Sequence, residues 1–159
     1  MFLQYLSFDE KDVTKIVFME YSIRSDNLIP DQITSELDIK PSRAFAKGEK
    51  YQGRVLNTLT KEVESVWRER WSGIWTISTE GLVTSKYVEH HAQYLLDLLE
   101  PKVSLINRYL SIYSQIRFYI WWEPHAGHGS YVISDNTLRK LGNLCHYTEF
   151  GFLFVNEDE

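Results

Sequence analysis

The chain has little that would staple or anchor it. Cys145 is the one cysteine among 159 residues, so no intramolecular disulfide forms, which fits a reducing compartment. No window holds about 18 uninterrupted apolar residues, the length a spanning helix needs, so no membrane span is expected. Met1 to Lys15 mixes apolar residues with Asp9, Glu10 and Asp12. It lacks the basic start and apolar run of a secretory signal. A soluble cytoplasmic protein is the expectation. Positive charge is also in deficit. Lys and Arg total 17 against 22 Asp and Glu, a net charge of −5. Neutralising phosphates takes a basic surface, so nucleic acid is an unexpected partner. The same charge keeps a chain soluble and steers it toward basic proteins.

What is present suits a globular domain. Hydrophobic residues make up 43% and charged residues 25%, close to average usage. The length suits one domain able to bury its own core without a metal or disulfide. We read residues 1–159 as that single domain, with a core over about 14–155 and a long loop or insert at 41–72. Aromatics are abundant, with five Trp, ten Tyr and eight Phe. Such side chains fill cores and also anchor contacts.

Hydrophobic periodicity supplies the elements. In residues 14–24, Val17, Met19, Tyr21 and Ile23 alternate with Glu20, Ser22 and Arg24, a strand pattern. Pro30 opens a short helix whose stripe is Ile29, Ile33 and Leu37, ending before Pro41. Residues 41–58, with Pro41, Gly48 and Gly53, read as a loop, and 59–71 fit a helix or a strand equally. Ile74 to Ser78 reads as a strand. Residues 86–112 carry the strongest helical pattern, interrupted at Pro101, where a kink or a second helix is expected. Ile116, Phe118, Ile120 and Trp122 alternate with Arg117, Tyr119, Trp121 and Glu123, again a strand. Tyr131 to Ile133 extends an edge. Ser134 or Asp135 caps a helix carrying Leu138, Leu141 and Cys145. Glu149 to Val155, apolar on both faces, reads as a central strand. The order predicts an α+β fold: a small mixed or antiparallel sheet of about four to five strands, with helices mainly on one face. The strands at 115–123 and 149–155 flank a helix and make a plausible β-α-β unit.

Three stretches carry a resemblance. They are YSIRSDNLIPDQITSELDIKPSRAFAKGE from Tyr21 to Glu49, the strand Trp75–Ser78, and LLDLLEP from Leu95 to Pro101. Together they resemble the uncharacterised bacterial family of domain of unknown function 4279, over roughly residues 16 to 155. The resemblance implies a small soluble α/β domain. Through relatives suspected of that role, it also implies an immunity protein of a toxin system. The family brings no assigned catalytic set.

The candidate sites come from the residues themselves. His125 and His128 in a glycine-containing loop are candidate metal ligands, with Glu123 and His146 as further donors of the right type, since zinc wants three or four. Arg43 and Lys47, with Arg54, place positive charge in the 41–58 stretch, where an anion can dock. Trp67, Trp71, Trp75, Trp121 and Trp122 are candidates for one cluster. On the uncovered sheet face, Tyr119, Trp121 and Glu123 are candidates for a partner surface. His91 continues a helix stripe while His90 faces solvent. Cys145 sits on an apolar stripe, where thiols are usually inert. Glu20 on the first strand's polar face is a candidate for acid–base work. These features favour a non-catalytic protein-interaction module. In the form the resemblance implies, it is an immunity protein that occludes a basic toxin. The alternative is a small-molecule or metal-dependent enzyme centred on the His125–His128 loop. No cofactor is expected beyond a metal there.

Overall fold

A computed structural model describes residues 14–56, 58, 61–125 and 130–153. The elements in chain order are β1 (Thr14–Ser25), α1 (Pro30–Leu37), β2 (Arg43–Phe45), β3 (Lys50–Leu56), β4 (Val63–Glu69), β5 (Gly73–Ser78), α2 (Val88–Leu99), α3 (Val103–Ile112), β6 (Gln115–Pro124), α4 (Asp135–Gly142) and β7 (Tyr147–Phe152). Five strands form one mixed sheet in the order β2-β5-β1-β6-β7, and β3 and β4 form a separate two-stranded ribbon. The fold is α+β, as the alternation of patterns predicts.

The long β1 is the centre of the sheet. It pairs antiparallel with β5 on one side and β6 on the other. Its odd-numbered residues Val17, Met19, Tyr21 and Ile23 are buried with Trp75 and Ile77 of β5 and Ile116, Phe118, Ile120 and Trp122 of β6. Against this side pack Ile33 and Leu37 of α1, Val88, Ala92, Leu95, Leu96 and Leu99 of α2, Ile106 and Tyr109 of α3, and Leu141 of α4. The helices therefore cover one face. At Pro101 the long helical pattern breaks into α2 and α3, joined by a 3₁₀ turn over Glu100–Lys102. Proline cannot donate the backbone bond an unbroken helix needs there. Ser134 is the N-cap of α4, its Oγ accepting from the Thr137 N–H at 3.2 Å. The chain passes from β6 through α4 to β7, and these two strands are parallel.

Four expectations need correction. Residues 41–72 are not a loop. Arg43–Phe45 adds an edge strand to β5, and the polar stretch beyond it is the β3–β4 ribbon, paired from Lys50↔Glu69 to Leu56↔Val63. Neither face of that ribbon is deeply buried, so its weak alternation, Tyr51 and Val55 half-buried between exposed Lys50, Gln52 and Arg54, does not outweigh the loop signals of Pro41, Gly48 and Gly53. The last strand is an edge, not a centre. Its helix-side residues Phe150 and Phe152 remain partly exposed and pack on Tyr131 at ring distances of 6.4 and 6.3 Å. Residues 131–133, expected as an edge strand, are not a strand. Cys145 lies beyond the end of α4, buried in the connection to β7.

Candidate binding face

The side of the sheet opposite the helices carries the functional candidates. Register aligns them in rows from β2 to β7. One row holds Arg43, Thr76, Ser22, Arg117 and Tyr147. The next holds Ser78, Glu20, Tyr119 and Glu149, and the third Phe18, Trp121 and Gly151. At the opposite end lie Phe45, Ile74 and Arg24. From Phe18 to Arg24 the face runs about 20 Å at the usual strand rise.

Its aromatic end is built by cross-strand neighbours. The ring of Phe18 stacks on Trp121 at 6.2 Å and tilts against Tyr119 at 6.4 Å. All three are half-buried. Gly151 makes room for them. A Cβ there would sit 2.3 Å from the Tyr119 hydroxyl and 2.9 Å from the Trp121 ring.

Ion pairs form the middle. Arg43 lies 3.6 Å from Glu20, and Arg117 pairs with Glu149 while standing 5.4 Å from the Tyr119 ring. Burial raises the Glu20 pKa above its ordinary value, opposed by the charges of Arg43 and Arg117 and reinforced by Glu80. Between the two arginines in register, the hydroxyls of Ser22 and Thr76 bond to each other at 3.0 Å, both buried.

At the far end, Arg24 stands 4.9 Å from the Trp71 ring, and the Arg70 guanidinium lies against Phe45 and Tyr51 at 4.0 and 3.7 Å. Arg24, Trp71, Arg70 and Phe45 border a recess of about 50 Å³. A larger hollow of about 500 Å³ lies elsewhere, beside Ile39, Pro41, Leu82, Tyr94 and Leu98, and its charged neighbours Asp38, Lys40 and Glu80 are exposed.

The structure thus brings Arg43, Tyr119 and Trp121 onto one face, with Glu123 next along β6 in register with Ile16, and separates Lys47, Arg54 and the histidines from them. Lys47 pairs with Asp26 in the turn after β1, and Arg54 lies exposed on the ribbon, so neither joins Arg43. Glu123 is buried and held by Lys15 at 2.6 Å. His146 is committed to backbone: Nδ1 accepts from the Ile116 N–H and Nε2 donates to the Leu110 carbonyl, both at 3.0 Å. His125 is exposed, and His128 lies outside the described residues. Among the described residues no three His, Cys, Asp or Glu side chains are grouped to hold a metal. The tryptophans form no single cluster. Trp75 and Trp122 are core, Trp121 is on the open face, and Trp67 and Trp71 are each 72% exposed. Sequence reading missed Phe18, Arg24 and Arg70. The alternation already sets Arg24 beside Glu20 and Ser22 without marking it as a site, and the same period-two register extends to Phe18. Arg70 has no such signal, because the ribbon root that places it is invisible in the pattern.

Among the described residues no helix is long and apolar enough to cross a membrane. No curated protein and no solved structure matches the chain. A family model described as a domain of unknown function, DUF4279, matches residues 14–150, from the first residue of β1 into β7, and the chain belongs to that family.

Proposed function

We propose that the protein is a non-catalytic interaction module that binds a protein partner on the helix-free face of its sheet. The observation that supports this most is the half-buried trio Phe18, Tyr119 and Trp121, bordered by the pairs Glu20–Arg43 and Arg117–Glu149. Aromatic anchors with polar groups at their margin are the usual composition of a protein interface. The net charge of −5 favours encounter with a basic partner. In the form the family resemblance suggests, that partner is a toxin neutralised by occlusion.

The test is capture from the native host, followed by calorimetry with the purified partner. One protein is expected in equimolar amount. Trp121→Ala should weaken its binding by about tenfold or more, while Trp67→Ala, on the exposed ribbon, should not. Capture of no protein at any salt, or equal affinity for wild type and Trp121→Ala, would overturn the reading.

A further inference from the structure

We propose that the recess at the root of the β3–β4 ribbon receives one carboxylate of the protein partner, gripped between Arg24 and Arg70. This rests on the reading of the open face as a binding surface and names the chemistry at one end of it. The recess is bordered by Arg24, Phe45, Arg70, Trp71, Ser72 and Ile74. Ile74, Arg24 and Phe45 occupy the last row of the open face, so a partner lying on that face reaches it without a break.

Charge is the first argument. The ion pairs among the described residues engage Arg43, Arg108, Arg117 and Arg139, and none engages Arg24 or Arg70. Asp26, which adjoins Ser72, is occupied by Lys47. Two cations therefore border one small recess with no acid of their own.

The second argument is an orphaned donor. The Arg70 Nε is buried and has no hydrogen-bond partner. A buried donor left unmade carries a desolvation penalty, which an arriving acceptor would offset. The Phe45 and Tyr51 rings hold the guanidinium in place beforehand, so little ordering remains to be done on binding.

Size and shape choose the acceptor. About 50 Å³ is far below the roughly 300–1,000 Å³ of small-molecule sites, so a side-chain tip fits where a metabolite does not. A guanidinium fork matches a planar carboxylate through paired N–H bonds, and Trp71 and Phe45 supply aromatic surface beside the cations.

The test follows the arginine Nε–H resonances by NMR during titration with sodium acetate, sodium phosphate and sodium chloride at matched ionic strength. The Arg70 signal is identified by its loss in Arg70→Lys. Acetate should move it saturably and chloride should not. Arg24→Gln should raise the half-saturating acetate concentration about threefold and weaken the captured partner about tenfold. A shift that does not saturate, or that chloride reproduces, would overturn the recess. Half-saturation by phosphate below that of acetate would reassign it to phosphate. Saturation by acetate with no protein captured would keep the anion site and remove the partner. A captured partner that binds Arg24→Gln as tightly as wild type would remove the recess alone.

Discussion

A buried histidine and a half-buried carboxylate show how titratable chemistry divides into structure and surface. His91 is fully buried in α2. Its Nε2–H donates to the Ser85 carbonyl at 2.9 Å, its Nδ1 lies 2.6 Å from the Thr79 hydroxyl, and that hydroxyl accepts the Met19 N–H at 2.8 Å. Every polar atom of the ring is therefore used, and burial holds its pKa below the ordinary 6.5. The unfolded chain takes up this proton as pH falls through about 6.5 while the folded chain resists, so the stability His91 contributes is complete above that pH and declines below it. His91→Leu should cost about 1–3 kcal/mol at pH 7.5 through the stranded Ser85 carbonyl and Thr79 hydroxyl. It should also flatten the decline between pH 7.5 and 5, as urea unfolding at the two pH values would show. Glu20 has the opposite sign. Its pKa is raised above 4.5, so folding favours the protonated form, and the chain loses stability as pH rises through the folded pKa. Glu20→Gln should therefore melt above wild type at pH 7 and level with it below pH 4, measured by thermal scans across that range. A variant that melts lower at pH 7 would mean that the Arg43 pair outweighs burial.

Elements were legible where one face is buried and the other is not. β1 from Val17 to Tyr21 and β6 from Gln115 to Trp122 alternate because every second residue faces the helix-covered core, and α2 repeats every three or four residues for the same reason. Tyr119 and Trp121 could be placed on the uncovered face from β6 alone, and Arg43 was singled out by its charge. The β3–β4 ribbon was legible only in part: residues 59–71 fit a strand as well as a helix, while the half-burial of Tyr51 and Val55 in β3 is too slight to outweigh Pro41, Gly48 and Gly53. The edge position of β7 was hidden by Phe150 and Phe152, whose apolar character serves Tyr131 and Trp122 instead of a second helix layer. The start of α4 was readable from chemistry. Ser134 caps the helix and also donates from its hydroxyl to Glu89 at 2.7 Å, which fastens α4 to the first turn of α2. Ser134→Ala should cost about 1 kcal/mol, within the usual range for a lost cap, while Asn136→Ala, exposed in the same turn, should cost little. Chemical denaturation of both variants compares them directly.

Across the whole molecule, stability is unevenly distributed. The five-stranded sheet and four helices share one continuous core, whereas the β3–β4 ribbon is made of exposed and half-buried residues. Its root is closed by the Gly48 N–H donating to the Arg70 carbonyl and the Arg70 N–H to the Glu49 carbonyl, and it meets the main sheet where the Arg70 guanidinium lies against Phe45 of β2. An isolated two-stranded ribbon is marginal in water, and a region with few buried apolar contacts opens at a small fraction of the global unfolding free energy. Trypsin under native conditions should therefore cut first at the exposed Lys50, Arg54 and Arg68, leaving the sheet and helices together as a nicked unit with its far-ultraviolet circular dichroism largely kept. Early cutting at Lys102 or Arg108, between and within the helices, would show instead that the ribbon is the firmer part. If an acidic partner side chain fills the recess at the ribbon's root, bound partner should slow the cuts at Lys50 and Arg68. It would do so by raising the cost of opening, with Arg24→Gln losing that protection while keeping the same cutting pattern when free.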